Sequence, residues 1–319
     1  MEVKASAPGK VILFGEHAVV YGKPAIAVAI DKRAIVTIKK NKEDVISVNI
    51  DKLGVHADIN PLNYTISLKR GESGILKYVI ESLKMVHDGS PITVDIDLEI
   101  PIGAGLGSSA AVTVATLSAA SKYNDNKISL EKISKYAHQV ELNVQKSASP
   151  IDTTISTYGG AVYLSENAEE IKSIDIPLNF PLIISYTPRR GNTGELVEKV
   201  KIRKELYPQI INPLIDSMGI LTNTALESIL REDYATVAEL MNINHGFLDS
   251  LGVNTQELSN MVYTARKAGA LGSKITGAGG GGSIVAYCPE NHSKVLSALQ
   301  NIEDAITVNI SQKGVEYIN

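Results

Sequence analysis

The sequence predicts a protein of two domains that is built from both helices and strands. Its 319 residues exceed what a single hydrophobic core usually organises. Residues 92–100 alternate between apolar and polar side chains, which is the pattern of a strand with one buried face. Residues 108–124 instead carry apolar side chains at helical spacing. A polar stretch at 165–180, followed by prolines, is the predicted junction, which gives expected domains of 1–175 and 176–319.

The spacing of apolar residues places the other elements in order along the chain. Further strands are expected at 2–6, 11–14, 24–30, 33–40, 183–186, 284–287 and 305–310. Further helices are expected at 72–87, 129–144, 194–204, 207–230, 233–250, 255–268 and 290–301. In this arrangement Lys10 lies at a turn between two short strands, and Asp152 lies in a loop or at the start of a helix.

The composition excludes several classes of protein. Hydrophobic residues make up 44% of the chain and charged residues 21%, which is typical of a folded globular protein and not of a disordered one. The net charge of −4 argues against non-specific attraction to nucleic acid or to an anionic membrane. Cys288 is the only cysteine, so neither an internal disulfide nor a thiolate metal cluster can form. The sequence shows no signal peptide and no transmembrane run, and we therefore expect a cytoplasmic protein.

The most informative stretch is residues 101–111, in which three alternating glycines precede two serines and the predicted helix. Glycines allow the backbone to approach a ligand closely, and a helix N-terminus offers free N–H groups and the positive end of its dipole. This combination favours a phosphate site. It is not a Walker A loop, because no lysine precedes Ser108, and its glycine spacing does not fit a dinucleotide fingerprint. A tight turn between a strand and a helix is the alternative interpretation.

A phosphate site of this kind needs a positive charge from elsewhere in the chain. Lys10 follows a Pro-Gly turn, and Glu16 and His17 follow the next strand, where binding groups are commonly displayed. A functional interpretation makes Asp152 a carboxylate poised over a reacting hydroxyl. Each residue also has a plainer interpretation, namely a solvated turn lysine, a surface pair and a helix N-cap.

A second glycine-rich run, residues 274–283, contains four consecutive glycines. Such a run carries an entropic cost that a simple connector does not require. We expect it either to line a second anion site with backbone groups or to pack closely against the first glycine loop. The supporting glycines are Gly277, Gly279, Gly280 and Gly281.

Three segments together resemble the three motifs of the GHMP sugar and small-molecule kinases. They are residues 8–22, 101–111 and 274–283. Their joint occurrence in this order is far more specific than any single glycine run, and the resemblance extends over nearly the whole chain. The first segment, in which Ala18-Val19-Val20 follows the Glu-His pair, is most similar to that of the family members that act on mevalonate.

The resemblance implies an α+β fold of two domains. The N-terminal domain, 1–175, would bind ATP and contain a mixed sheet with a left-handed βαβ crossover. The C-terminal domain, 176–319, would be ferredoxin-like, with the active site in the cleft between the two. The resemblance also implies Mg²⁺, ATP and transfer of the γ-phosphoryl group to the 5-hydroxyl of (R)-mevalonate, giving 5-phosphomevalonate in the mevalonate route to isoprenoids. Nucleic acid and membranes are not expected partners, and a homodimer is left open.

The same resemblance assigns chemical roles to individual residues. Asp152 would be the general base or the orienting carboxylate, and Lys10 would stabilise negative charge beside the γ-phosphate. Ser109 and Glu141 would hold Mg²⁺, a hard cation that prefers oxygen ligands.

The remaining roles concern the two substrates. The ATP phosphates would be wrapped by Gly103, Ala104, Gly105, Leu106, Gly107, Ser108 and Ser109. Glu16 and His17, together with Asp152, would bind mevalonate. The candidates for binding its carboxylate are Thr187, Arg189 and Arg190.

Two positions depart from the family pattern: Lys146 stands where glycine is usual, and Gly194 stands where lysine is usual. Both concern the substrate side and not the reaction class. The alternatives are a kinase of the same family with another substrate, such as phosphomevalonate, galactose or homoserine, and a ligand-binding sensor without catalysis. The presence of both Lys10 and Asp152 argues against the sensor.

Overall fold

The fold is organised around two sheets, which are seen in a computed structural model that describes residues 2–72, 74–146, 149–177, 180–188 and 191–318. Within those residues the larger sheet has nine strands, and all pairings in it are antiparallel except that of β3 with β6. Its strands are β1 (Glu2–Phe14), β2 (Ala25–Lys40), β3 (Ile46–Ile50), β4 (Val55–Ile59), β5 (Ile66–Arg70), β6 (Ile92–Leu98), β7 (Ala161–Leu164), β8 (Ile171–Ile174) and β13 (Glu316–Ile318).

The main path of this sheet runs in the order β13-β1-β2-β6-β3-β4-β5, with β7 and β8 attached beside the first half of β2. The last strand, β13, comes from the C-terminus, so the chain crosses back to the sheet in which it started. The strand predicted at 92–100 is confirmed as β6, with its apolar residues buried.

The prediction of two pairs of short strands at the start of the chain was wrong. Residues 2–14 form one strand, and residues 25–40 form another, paired along nearly their whole length. The predicted Pro-Gly turn is absorbed as a shift of register between Pro8 and Gly9. Gly9 is needed there because a Cβ would lie 2.8 Å from the carbonyl oxygen of Leu106. Lys10 is consequently a buried strand residue and not a turn residue.

Four α-helices of the described residues accompany the larger sheet. They are α1 (Leu76–Val86), α2 (Ser108–Tyr123), α3 (Leu130–Gln145) and α4 (Ile151–Tyr158). Every residue of α2 from Ala110 to Ser121 is buried, because α2 packs on β1 and β2 and lies between α1 and α3. Its alanine, serine and threonine side chains are small enough to permit contact on all sides. This fixes the start of α2, and with it the first glycine loop.

The smaller sheet is antiparallel and has the order β10-β11-β9-β12. Its strands are β9 (Leu182–Tyr186), β10 (Gly272–Thr276), β11 (Ser283–Tyr287) and β12 (Asp304–Val308). Its helices are α5 (Thr193–Leu206), α6 (Pro208–Leu230), α7 (Tyr234–Ser250), α8 (Gln256–Ala268) and α9 (His292–Gln300). Along the chain, β9 is followed by helices, then by β10 and β11, then by α9 and β12. This order, combined with the strand order of the sheet, is the ferredoxin-like arrangement. Through the described part of the chain, no helix is long and apolar enough to cross a membrane.

Candidate active site

A cleft of about 340 Å³ lies where the two glycine-rich loops meet. Its walls come from β1, from the loop before α2, from α3 and α4, and from the loop between β10 and β11. The side chains that the sequence singled out for chemistry and that line it are Lys10, Glu16, His17, Ser108, Ser109, Glu141 and Asp152.

The first glycine loop has the backbone conformation that its glycines were expected to supply. Gly103, Gly105 and Gly107 have φ values of 78°, 72° and 72°, in the left-handed region that other residues rarely adopt. Gly107 caps the N-terminus of α2, so the free N–H groups of the first turn face the cleft. A Cβ on Gly107 would lie 2.8 Å from Cγ of Lys10, which shows how closely the lysine stem packs under the loop.

Lys10 and Asp152 form an ion pair inside this cleft. The Lys10 Nζ lies 3.2 Å from Oδ1 of Asp152, and the two side chains are 4% and 30% exposed, respectively. Asp152 lies in the first turn of α4, which is one of the two placements that the sequence allowed. The backbone N–H of Lys10 also donates to the carbonyl of Leu106 at 2.9 Å. The lysine is therefore tied at its backbone to the phosphate loop and at its ammonium group to the aspartate.

Glu141 lies on α3 and faces the same cleft with little exposure. Burial and the negative charge of Asp152 raise the pKa of the Glu141 carboxyl to about 8, although the Lys10 cation acts in the opposite direction. Burial and a neighbouring negative charge both disfavour the ionised form of the Glu141 carboxyl in this cleft.

The second glycine loop packs against the first, which was one of the two expectations for it. The Ser283 hydroxyl donates to the carbonyl of Ala104. The Thr276 hydroxyl accepts from the N–H of Ile12 at 3.1 Å and donates to the Ile12 carbonyl at 3.0 Å. Since Thr276 and Ser283 bracket the second loop, these bonds join the smaller sheet to β1 and to the first loop.

Glu16 takes part in a buried network between the two sheets. Its side chain is 1% exposed, and it pairs with the ammonium group of Lys274, which is 0% exposed. The other carboxylate oxygen accepts from Nδ2 of Asn244 at 3.1 Å. Burial lowers the pKa of Lys274, and the charge of Glu16 opposes that shift. Both oxygens of Glu16 are thus already engaged by the protein.

His17 adopts a left-handed conformation, with φ of 59°, which turns the chain at the end of the β1 segment. Its Nε2 lies 2.8 Å from the carbonyl oxygen of Ala278 and donates to it, so the proton of the neutral ring lies on Nε2. Burial lowers the pKa of His17, although the Ala278 carbonyl and Glu16 favour the charged ring. A neutral His17 leaves Nδ1 as an acceptor.

Comparison with known proteins assigns the family. The model of the GHMP kinase N-terminal domain matches residues 74–160, and that of the C-terminal domain matches residues 225–304. This chain belongs to the GHMP kinase family. The matched regions contain the first glycine loop, α2, α3, α4 and the second glycine loop.

GHMP kinases from archaea are similar to this chain over nearly its full length. The mevalonate kinase of Methanothermobacter thermautotrophicus is 44% identical and covers 99% of this chain and 100% of its own length. That of Thermococcus sibiricus is 42% identical and covers 99% and 98%, respectively. With such relatives, this GHMP kinase is an enzyme of the kinase class.

Solved structures of GHMP kinases confirm the fold. The Methanococcus jannaschii mevalonate kinase is 28% identical, with a TM-score of 0.81 and 98% of both chains covered. The L. major mevalonate kinase in complex with R-mevalonate is 24% identical, with a TM-score of 0.83 and coverage of 97% of this chain and 95% of that chain. The mixed sheet and the smaller antiparallel sheet of this chain are therefore those of a GHMP kinase.

The structure of this GHMP kinase also bears on the two departures from the family pattern. Lys146 follows α3 with φ of 65°, the left-handed conformation for which glycine is favoured. Gly194 lies in the first turn of α5, where its N–H donates to Oδ1 of Asn192 at 3.1 Å. Thr187 follows β9 and is buried. Arg189 and Arg190 lie outside the described residues.

Sequence reasoning missed two residues that hold the site of this GHMP kinase together, namely Lys274 and Thr276. Both were treated as flanks of a glycine run, and neither was given a role. No local sequence pattern pointed to them, because the burial of the whole segment Gly272–Thr276, which contains Lys274, is seen only in the structure. A lysine in a strand with no exposed position needs a buried partner of opposite charge.

Proposed function

We propose that this GHMP kinase transfers the γ-phosphoryl group of ATP to the 5-hydroxyl of (R)-mevalonate, giving 5-phosphomevalonate. The observation that carries the proposal is the Lys10–Asp152 ion pair, which faces the cleft directly below the first glycine loop. Relatives named mevalonate kinase, similar over the whole chain, support the choice of substrate. The product enters the mevalonate route to isoprenoids.

In this proposal the N-terminal unit, 1–175, binds the nucleotide. The backbone N–H groups of residues 103–109 and the start of α2 wrap the phosphates, because they present partial positive charge without a side chain. Lys10 supplies the full positive charge that this loop lacks and stabilises negative charge on the transferred group. C-terminal residues, 176–319, close the cleft through the second glycine loop.

Asp152 orients the substrate hydroxyl and accepts its proton. Its carboxylate is 30% exposed toward the cleft, so a bound alcohol can reach it. The ammonium group of Lys10 holds that carboxylate in place at 3.2 Å. The proton of the hydroxyl moves to Asp152 as the oxygen bonds to phosphorus, and ADP leaves with the bridging oxygen.

The residues present fit a magnesium ion. Among the described residues no cluster of three or more histidine, cysteine, aspartate or glutamate side chains could hold a metal alone. Kinases bind Mg²⁺ differently, through one or two protein oxygens together with phosphates and waters. Ser109 and Glu141 would be those protein ligands, because both line the cleft with oxygen donors and the Glu141 carboxylate is buried. The ion would neutralise charge on the phosphates of ATP.

Glu16 and His17 define the substrate end of the cleft. Because both oxygens of Glu16 are bonded to Lys274 and Asn244, we expect Glu16 to hold the neighbouring His17 in position. His17 would accept a hydrogen bond from mevalonate at Nδ1. Val19 and Val197 line the same cleft, and such apolar walls suit a methyl-bearing carbon better than the hydroxyls of galactose.

Phosphomevalonate would need additional positive charge near Glu16. The nearest candidate in sequence, Lys23, is paired with Asp216 at 2.7 Å and does not line the cleft. This favours mevalonate over its phosphorylated product.

The test is a coupled assay of ADP release with ATP and Mg²⁺, run separately with mevalonate, phosphomevalonate, galactose and homoserine. We expect turnover with mevalonate alone, since a site built to bond particular hydroxyls rejects analogues that lack them. Turnover with another alcohol but not with mevalonate would overturn the substrate. Binding of ligands without ADP release from any of them would indicate the sensor.

A further inference from the structure

The C-terminal segment 309–318, here named the C-terminal strap, lies along the larger sheet next to the catalytic helix α4. The strap starts after β12 and its first part runs between β2 and the residues that follow α4. The N–H of Ser311 donates to the carbonyl of Ala29 at 2.9 Å, and the N–H of Gly160 donates to the carbonyl of Ser311 at 2.8 Å. Its last part forms β13 and pairs with β1.

Arg33 on β2 fastens the strap to the sheet. Its guanidinium group donates to the hydroxyl of Ser311 at 3.1 Å and to the carbonyls of Lys313 and Gly314 at 3.3 and 2.6 Å. It also lies 3.7 Å from the carboxylate of Glu316.

The same guanidinium bonds both the hydroxyl and the carbonyl of Ser6 on β1. One side chain, 14% exposed, thus joins β1, β2 and the strap. Lysine cannot reproduce this pattern, because it lacks the planar fork of donors.

The part of the strap that Arg33 holds presses on the end of α4. The N–H of Val315 donates to the carbonyl of Thr157, in the last turn of the helix, at 3.1 Å. A Cβ on Gly314 would overlap that same carbonyl, and a Cβ on Gly159 would overlap the backbone of Gly314. The backbones of the strap and of α4 are therefore in direct contact.

The position of Asp152 depends on how α4 is held. This helix has eight residues, with Asp152 in its first turn and the strap at its other end. Two of its apolar side chains, Ile151 and Ile155, meet three alanines of β2 together with Val162 and Leu164. The helix also packs on β1, α2 and α3. The Ser156 hydroxyl donates to the carbonyl of Pro8 at 2.9 Å, and Pro8 lies opposite Arg33 in the strand register.

We propose that Arg33 is a positioning residue for phosphoryl transfer. Its hydrogen bonds hold the C-terminal strap against the last turn of α4. The strap in turn fixes the position of this two-turn helix along β1, so that Asp152 lies beside Lys10. Arg33 does not line the cleft, so it acts through the strap and α4 and not on the substrate. The proposal rests on the proposed function, because its effect is read as turnover of mevalonate.

The test compares Arg33→Lys and Arg33→Ala with the wild-type chain in the mevalonate-dependent assay, with rates divided by the concentration of folded protein. We expect kcat to fall by about 10- to 100-fold, since a displacement of about 1 Å at a catalytic group has effects of that size. The KM for ATP should change less than about twofold, because the loop that wraps the phosphates is untouched. Guanidinium chloride, far below denaturing concentrations, should restore part of the kcat of Arg33→Ala.

Lys39→Met is the matched control. Lys39 lies six residues further along the same strand and forms an exposed ion pair with Asp95 on β6 at 2.7 Å. It should leave kcat and KM unchanged. If the wild type and this control do not turn over mevalonate, the proposed function fails. If they do and Arg33→Lys keeps full kcat per folded molecule, only the role of Arg33 fails.

Gly314→Ala provides a second, independent variant, because it disturbs the contact between strap and helix while leaving the arginine in place. It should lower kcat as Arg33→Lys does, and the double variant should lose little more than the larger single loss. Losses that multiply would show that the two residues act separately and would overturn the proposal. This comparison decides the matter even if Arg33→Ala does not fold.

Discussion

Lys10 and Asp152 meet at 3.2 Å although one belongs to the first strand and the other to the fourth helix. The Ser156 hydroxyl, one turn beyond Asp152, bonds the carbonyl of Pro8, two residues before Lys10. A second, buried contact between the same two elements therefore helps to fix the position of the ion pair. The meeting point lies under the backbone N–H groups that open α2.

Replacement of Lys10 by methionine tests its role as the missing cation. We expect kcat to fall by about 100- to 1,000-fold, the range seen when a group that stabilises transition-state charge is removed. The N–H groups of the loop remain, so ATP should still bind with an affinity near that of the wild type. Steady-state kinetics and ATP titration check both statements. A kcat within twofold of the Lys39→Met control would contradict the role.

Glu141 should make the stability of the metal-free protein depend on pH. Its pKa rises from 4.5 to about 8 on folding, so the folded chain holds a proton that the unfolded chain has lost between these values. The free energy of unfolding should then decrease as pH rises from about 5 to about 8. Denaturant unfolding across this range measures the slope, and Glu141→Gln should reduce it.

The matched control for this pH dependence is Glu131→Gln. Glu131 lies on the same helix, is 71% exposed and pairs with Lys135 at the surface. It should keep the wild-type slope. Because a cation displaces the proton from Glu141, binding of Mg²⁺ with ATP should also tighten as pH rises to about 8. Equal slopes for the wild type and Glu141→Gln would show that Glu141 titrates normally.

The buried pair of Glu16 and Lys274 should stabilise the molecule only when both partners are present. Lys274→Met leaves a carboxylate with 1% exposure without its counter-charge, and such a loss typically costs about 3 to 5 kcal/mol. The exposed pair broken by Lys39→Met should cost no more than about 1 kcal/mol. Urea unfolding of the two variants makes the comparison. Similar losses would mean that the Glu16 network is solvated in solution.

Gly107 is predicted to be intolerant of a side chain. With φ of 72° and a Cβ that would lie 2.8 Å from Cγ of Lys10, alanine must displace either the loop or the lysine. Gly107→Ala should therefore raise the KM for ATP and lower kcat.

Gly246→Ala is the control for that substitution. It lies in helix α7 with no atom within 4 Å of its Cβ position, so it should leave kinetics unchanged and stabilise the protein by about 0.5 to 1 kcal/mol. If both variants behave alike, close packing at Gly107 does not matter for the reaction.

Local pattern predicted the elements well but not how long strands continue. The strand Ile92–Leu98 could be predicted directly, because its side chains alternate with a period of two. The start of α2 at Ser108 could also be predicted, because a glycine is followed there by small residues. The turn expected at Pro8-Gly9 is a common local signal. Pairing of β1 with β2 overrode it, because the sheet accommodates the irregularity as a shift of register.

The contacts between distant residues could not be predicted from spacing. Lys10 and Asp152 were singled out by their setting and by the family resemblance, yet only the fold brings them together. Glu16 was expected to face the substrate, but its bonds to Lys274 and Asn244 depend on the packing of the smaller sheet against β1. The bonds of Arg33 to the C-terminal strap likewise join chain ends that no local pattern connects.

The most direct test of the account is mevalonate-dependent release of ADP by the Asp152→Asn chain beside the wild type. Asparagine keeps the size of the side chain and removes the carboxylate that accepts the proton. The account predicts turnover by the wild type and a kcat about 100- to 10,000-fold lower for the variant, with ATP still bound. A variant that keeps the wild-type kcat would contradict the assignment of Asp152 and, with it, the catalytic meaning of its contact with Lys10.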